Sequence, residues 1–257
     1  MAALQKVTRQ AWDIFRLFFK DRNANIDGLK ALQETMSKIQ ASDLNIDASR
    51  AMIEQQRLPP NPAAFEAAAG GDPSQRAPVG YMHIFEDGVM TMGVFIIREG
   101  SRIPLHNHPG MHGLLKVLYG DISVRTFNTI TEDWTKFPIS KFEGFPENEP
   151  PKKHLLAPTR LGIDQHFTAS SEAVLLTPRE GNYHSLESVG GPAAFLDILS
   201  PPYDPVIGRD CQYFKELKSL QPSSSESDPH WLMCISQPHD FWCDEVHYPG
   251  PEISIPS

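Results

Sequence analysis

Residues 100–120 read GSRIPLHNHPGMHGLLKVLYG, and this stretch decides the fold. It places His106 and His108 two positions apart, with Gly100 before them and Pro109-Gly110 directly after. Two residues two apart on a β-strand point to the same face. If that face is the interior of a barrel, both imidazoles can meet one ion, and imidazole suits zinc, copper, iron and nickel. Gly100 permits a tight turn into the strand, Pro109-Gly110 ends it, and LLKVLYG supplies the next strand. An HxH pair alone is a weak signal, so the surroundings have to carry the reading.

Working outward, residues 79–200 contain short β-rich runs separated by Gly, Pro and Asn: GYMHIFEDG, MTMGVFIIREG, DISVRTF, AVLLTP and AAFLDILS. Such spacing predicts an all-β barrel or sandwich. Residues 127–167 are polar and carry prolines, so they are expected to form a long loop inserted between strands, a candidate lid. Residues 221–229 (QPSSSESDP) read as another exposed loop, and the tail from Trp231 as chain wrapping the barrel. Upstream, helical periodicity predicts a helix over 3–21, with Leu4, Val7, Ala11, Ile14, Phe15 and Phe18 on one face. A second is expected over 26–40, and a third from Asp47 through 56. The organisation expected is therefore a helical segment 1–57, a Pro/Gly/Ala-rich linker 58–78, and one β-domain 79–257.

The 257 residues carry a formal net charge of −9. That argues against general nucleic-acid binding, which needs a basic footprint. No apolar run approaches the roughly 20 residues a membrane span requires. Cys211, Cys234 and Cys243 are too few for a disulfide scaffold and show no CxxC spacing. Free thiols suit a reducing, cytoplasmic compartment. The N-terminal helix is basic enough to leave a mitochondrial transit role open beside the docked-helix reading. Nothing in the sequence decides oligomeric state, and a monomer is the default expectation.

A third ligand must come from another strand, because one strand cannot supply three facial ligands. His184 is the best placed, following the run AVLLTP and a turn at Gly181-Asn182. Three histidines and open positions describe a catalytic zinc site as well as an iron site. Asp197, inside the apolar run Phe195-Leu-Asp197-Ile-Leu, is costly there unless paired. It either orients a ligand or receives a substrate amine, or it points to solvent; alternation does not decide, because apolar residues flank it on both faces. Tyr203 follows at a proline-rich turn and could lean over the barrel mouth to hydrogen-bond a metal-bound ligand. Cys211 and Tyr213, two apart, would share a face on a strand. Met111 and His112 are candidates to line the pocket, with His112 a conceivable fourth ligand.

On these residues the chain resembles the cupins. Gly100-x5-His106-x-His108 through Gly120 is similar to the first cupin motif, and Pro178-x2-Gly181-x2-His184 to the second. The phrases PLHNHPGMHGLLKVLYG, GNYHSLESVGGPAAFLDILSPPYDP, GRDCQYF, FWCDE and YPGP further resemble the thiol dioxygenase family of cysteamine dioxygenases and plant cysteine oxidases. The resemblance implies a double-stranded β-helix (jelly-roll) barrel, with Fe(II) held by His106, His108 and His184. No Glu stands at His112 or Gly113, where most cupins carry a fourth ligand, and thiol dioxygenases similarly lack it. Three neutral imidazoles leave a divalent ion its full charge, which favours a substrate thiol as thiolate. The implied reaction puts both atoms of O2 on sulfur, giving a sulfinate. Its substrate would be cysteamine, giving hypotaurine, or the N-terminal cysteine of a protein in oxygen sensing. The resemblance also implies a Cys211–Tyr213 thioether. A zinc cupin acting as isomerase or hydrolase, and a non-catalytic binding cupin, are the competing readings.

Overall fold

The structure is a computed structural model that describes residues 2–18, 26–49, 77–131, 141–145, 149–220 and 229–255. Two helices, α1 (Ala2–Phe18) and α2 (Ile26–Met36), precede twelve strands among these residues. They are β1 (Val79–Glu86), β2 (Thr91–Ile97), β3 (Arg102–Asn107), β4 (His112–Tyr119), β5 (Asp121–Thr129) and β6 (Leu156–Thr168). There follow β7 (Val174–Leu176), β8 (Tyr183–Ser188), β9 (Ala193–Ser200), β10 (Tyr213–Leu217), β11 (His230–Ile235) and β12 (Cys243–Glu245).

One sheet has the order β12-β1-β2-β9-β4-β7, and the other β10-β11-β6-β5-β8-β3, with β3 and β10 pairing to close the ring. This is the cupin double-stranded β-helix that the sequence led us to expect. Side chains alternate between two apolar environments. Odd-numbered residues of the first sheet, such as Leu115, Val117, Ala193 and Phe195, meet Ile122, Val124 and Leu186 of the second. Even-numbered ones, such as Leu114, Leu118, Leu196 and Ile198, pack instead against Leu4, Val7 and Phe15 of α1 and Leu32 and Met36 of α2. Every residue of β9 is therefore buried, on both faces. Burying each large aliphatic side chain contributes roughly 1.5–3 kcal/mol, so the helices are an integral outer layer. Trp12 Nε1 also donates to Asp87 Oδ2 at 2.7 Å, fastening α1 to the β1–β2 turn.

The boundaries differ from the sequence expectation in places. α1 ends at Phe18 and α2 at Met36, and a 3-10 turn at Ala41–Leu44 replaces the expected end of the second helix. Most of the third helix and of the linker lies outside the described residues. The 127–167 loop is a correction: β6, 13 residues long, occupies its second half. Most of β6 is partly or fully exposed, and it is held by ladders to β5 and β11. Its sequence therefore carries no apolar alternation to announce it. The tail is more regular than wrapping chain, because it supplies β11 and β12. No helix among the described residues is long and apolar enough to cross a membrane.

Candidate metal centre

His106 lies on β3, His108 one residue past its end, and His184 on β8 directly opposite His106 in the ladder. A bulge brings His106 inward. The β3–β8 register slips between Ile103 and His106, so Pro104 and Leu105 oppose the single residue Ser185. Without it, Ile103 and His106 would face opposite ways; with it, both face the interior. Pro104 is tolerated there because a bulge asks no ladder hydrogen bond of it. On the other side, Gly181 adopts the left-handed conformation (φ 64°) and turns the chain into β8. The side chain of Asn182 then clamps His108 from both sides: its Oδ1 accepts the His108 N–H (3.2 Å), and its Nδ2 donates to the His108 carbonyl (2.7 Å).

All three rings are buried, and one ligand atom from each lies within 4.8 Å of the others. Burial holds His106 down to about 4 and the other two well below the usual histidine value. The rings are thus neutral near pH 7, the form that binds metals. Their hydrogen-bond partners assign the tautomers. His106 Nδ1 faces the Pro104 carbonyl (2.8 Å), and His184 Nδ1 faces the Gly181 carbonyl (3.4 Å); a carbonyl only accepts. The Tyr203 hydroxyl donates to the Asn107 carbonyl (3.0 Å), so it accepts from His108 Nδ1 (2.7 Å). Each Nδ1 carries its proton, and each Nε2 presents a lone pair. His108 Nε2 and His184 Nε2 then stand 3.4 Å apart with no proton to share. Such lone pairs repel unless a cation lies between them, and metal–nitrogen bonds of about 2.0–2.1 Å fit that spacing. The donor set suits a divalent metal.

Where the resemblance puts a fourth, carboxylate ligand of other cupins, the structure has no acidic side chain. Gly113 faces inward, and a Cβ there would lie 2.8 Å from Leu199 Cδ2 and 3.3 Å from Leu176 Cδ1. His112 does not line the pocket. It points to the outer face and packs its ring on Phe18 of α1, centroids 4.6 Å apart.

Asp197 faces the interior, by parity with Ala193 and Phe195, and burial pushes its carboxyl up to about 7. Tyr203 is placed differently from the expectation of a free phenol over the mouth, since its hydroxyl is engaged by Asn107 and His108. Cys211 precedes β10 rather than sharing the strand with Tyr213, yet the two residues line one cavity. Burial raises the Cys211 thiol and both phenols, so all three are protonated at neutral pH.

Two residues escaped the sequence reading. Asn182 is the clamp just described. Tyr81 lies over Gly93, which pairs with Asp197, and a Cβ on Gly93 would sit 2.5 Å from the Tyr81 hydroxyl oxygen. A glycine inside an apolar strand was the available signal for such a close approach.

A family model described as PCO_ADO matches residues 35–253. The chain is 39% identical over 238 residues to 2-aminoethanethiol dioxygenase of Homo sapiens, covering 88% of this chain and 82% of that one. It is 37% identical to the Mus musculus protein of the same name, covering 98% and 97%. Plant cysteine oxidase 1 of Arabidopsis thaliana is 31% identical over 172 residues, covering 66% of this chain and 53% of that one.

Proposed function

The chain belongs to the PCO_ADO family of thiol dioxygenases, and from that membership we propose that it uses iron(II) at His106, His108 and His184 to oxidise an aminothiol to its sulfinate. The observation that carries the reading is the set of three bare, buried Nε2 atoms, with no carboxylate grouped with them among the described residues. Iron(II) held there would supply the redox chemistry that joins both atoms of O2 to sulfur. The substrates are cysteamine and the N-terminal cysteine of a peptide, which share a thiol two carbons from an amine. The names of the relatives support an aminothiol substrate, 2-aminoethanethiol in one and cysteine in the other.

The chain's own residues hold and orient. His106, His108 and His184 fix three ligand positions and leave the rest of the coordination sphere for substrate and oxygen. With His112 and Gly113 where other cupins carry a carboxylate ligand, the ion keeps its charge for the thiolate. Asp197 receives the substrate ammonium inside the barrel, and that cation stabilises its ionised form. Tyr203 holds the His108 ring in its metal-binding tautomer. Replacing Tyr203 with Phe is expected to weaken iron affinity about 10–100-fold, the usual cost of losing such an orienting partner. Equilibrium metal titration measures this, and unchanged affinity would contradict the role.

We assign Cys211 and Tyr213 as a thioether pair, supported by their lining one cavity together. The bond joins Cys211 Sγ to a Tyr213 ring carbon next to the hydroxyl. The thiol S–H and one ring C–H break, and the two protons and two electrons released reduce one O2 to hydrogen peroxide. Protein turned over with iron and oxygen should weigh about 2 Da less than calculated, and Cys211→Ser should show no deficit. An undiminished mass after turnover removes the assignment.

The function is tested by loading the metal-free protein anaerobically with Fe(II) or Zn(II), admitting air, and weighing the thiols. Iron-loaded protein should add about 32 Da, two oxygens, to cysteamine or to a Cys-peptide but not to the matching Ser-peptide. Equal activity with zinc, or no gain on either thiol, would overturn it.

A further inference from the structure

Gly93 interrupts an otherwise apolar strand, between Met92 and Val94, both fully buried. A glycine weakens a strand interior, and its use there marks a neighbour that needs the space. The neighbour is the phenol of Tyr81 on β1. A Cβ on Gly93 would lie 2.5 Å from the Tyr81 hydroxyl oxygen and 2.6 Å from its Cζ. Phe95, the ladder partner of Tyr81, holds the ring there with centroids 4.8 Å apart. Phe95 in turn stacks on Phe195 of β9 at 5.3 Å, on the face that lines the barrel. The phenol is thus laid across β2 towards β9.

What it approaches there is Asp197. Gly93 and Asp197 are direct partners in the β2–β9 ladder. The Cβ atoms of such partners stand roughly 4.5–5.5 Å apart on one face. The Tyr81 hydroxyl takes the place of the Gly93 Cβ, so it lies within reach of the Asp197 carboxyl. Phe195 and Leu199 on the same strand, and Leu115 opposite on β4, offer Asp197 no polar group. Burial raises the Tyr81 phenol, so it keeps its proton at neutral pH. A protonated phenol can donate to a carboxylate and still accept through its lone pairs. A primary ammonium brings several N–H groups into the barrel, and each one left unmatched in a buried site is costly.

We propose that Tyr81 is a specificity residue for the substrate amine: its hydroxyl donates to Asp197 and accepts one N–H of the ammonium that Asp197 receives, so that the site selects a primary amine. The inference rests on the dioxygenase reading above and on Asp197 as the partner of the amine. Gly93 serves the same purpose by leaving the phenol its place.

The test uses iron-loaded wild type, Tyr81→Phe and Gly93→Ala. Cysteamine is the substrate, and N,N-dimethylcysteamine, which keeps a single N–H for Asp197, is its competitor. Tyr81→Phe retains the ring and its packing on Phe95, so it should melt with wild type. It should raise KM for cysteamine about tenfold or more, with kcat within about twofold, the loss expected of one hydrogen bond to a charged group. Its inhibition constant for the dimethyl compound should stay at the wild-type value. Gly93→Ala keeps the hydroxyl but displaces it, and when folded should show the same selective rise in KM. Unchanged KM in Tyr81→Phe, a fall in kcat alone, or equal weakening of both amines overturns the inference, as does a folded Gly93→Ala with wild-type KM. Each of these leaves the dioxygenase reading standing if wild type oxidises cysteamine. A wild type that oxidises no thiol defeats both readings.

Discussion

His184→Ala lowers kcat/KM by well over a hundredfold and leaves the protein unable to retain iron through gel filtration. Even an orienting partner outside the coordination sphere is worth about 10–100-fold, and His184 supplies one of only three ligand atoms. No nearby group can substitute. His112 faces α1, and Gly113 has no side chain to offer. The change acts on the ligand set and not on the fold, because the ladder of β8 with β3 and β5 is main-chain. Metal-free wild type and variant should therefore unfold in a single transition alike. Retained iron and turnover in the variant would remove His184 from the site.

Asp197→Asn has an opposite pair of effects. Burial raises the Asp197 carboxyl from 3.8 to about 7 in the metal-free fold. A raised folded value means that the native state holds its proton more tightly than the unfolded chain does. The associated stability is present below about pH 4 and is lost as pH rises through 7. The asparagine variant has no charge to bury. At pH 8 its metal-free form should therefore be more stable than wild type by about 2–4 kcal/mol, since each tenfold change in proton affinity is worth about 1.4 kcal/mol. At pH 3.5 the two should agree. The buried histidines, lowered by burial, give both proteins the reverse slope between pH 6.5 and 4, and it cancels in the comparison. In the iron-loaded enzyme the same substitution should raise KM for an aminothiol about thirtyfold or more, the lower cost of removing one partner of a buried charge pair. Denaturant unfolding at the two pH values reads the first effect. No gain at pH 8 would mean that the carboxylate is already solvated or paired.

Much of the site was legible because its chemistry is local in sequence. The HxH pair, the turn at Pro109-Gly110 and the glycine before Asn182 are each a short string with one physical reading, and the search for a ligand on a second strand led to His184. What stayed hidden depends on partners far along the chain. The bulge at Pro104 and Leu105 exists only against Ser185 of β8. The direction of Asp197 was undecidable because α1 and α2 make the outer face of β9 as apolar as the inner one. For the same reason His112, on the outer face, looked like a pocket residue. Strand β6 has no apolar pattern and is recruited by its neighbours. The bond of Tyr203 to His108 requires a loop to return to the end of β3, which no local pattern reports.

The central claim is that the three-histidine centre transfers both atoms of dioxygen to a thiol sulfur. Turnover of an N-terminal Cys-peptide by the iron-loaded protein under ¹⁸O2 in ordinary water tests it most directly. The account predicts a sulfinate heavier than the thiol by about 36 Da, both oxygens labelled. A product carrying one label, or a disulfide with none, would contradict it.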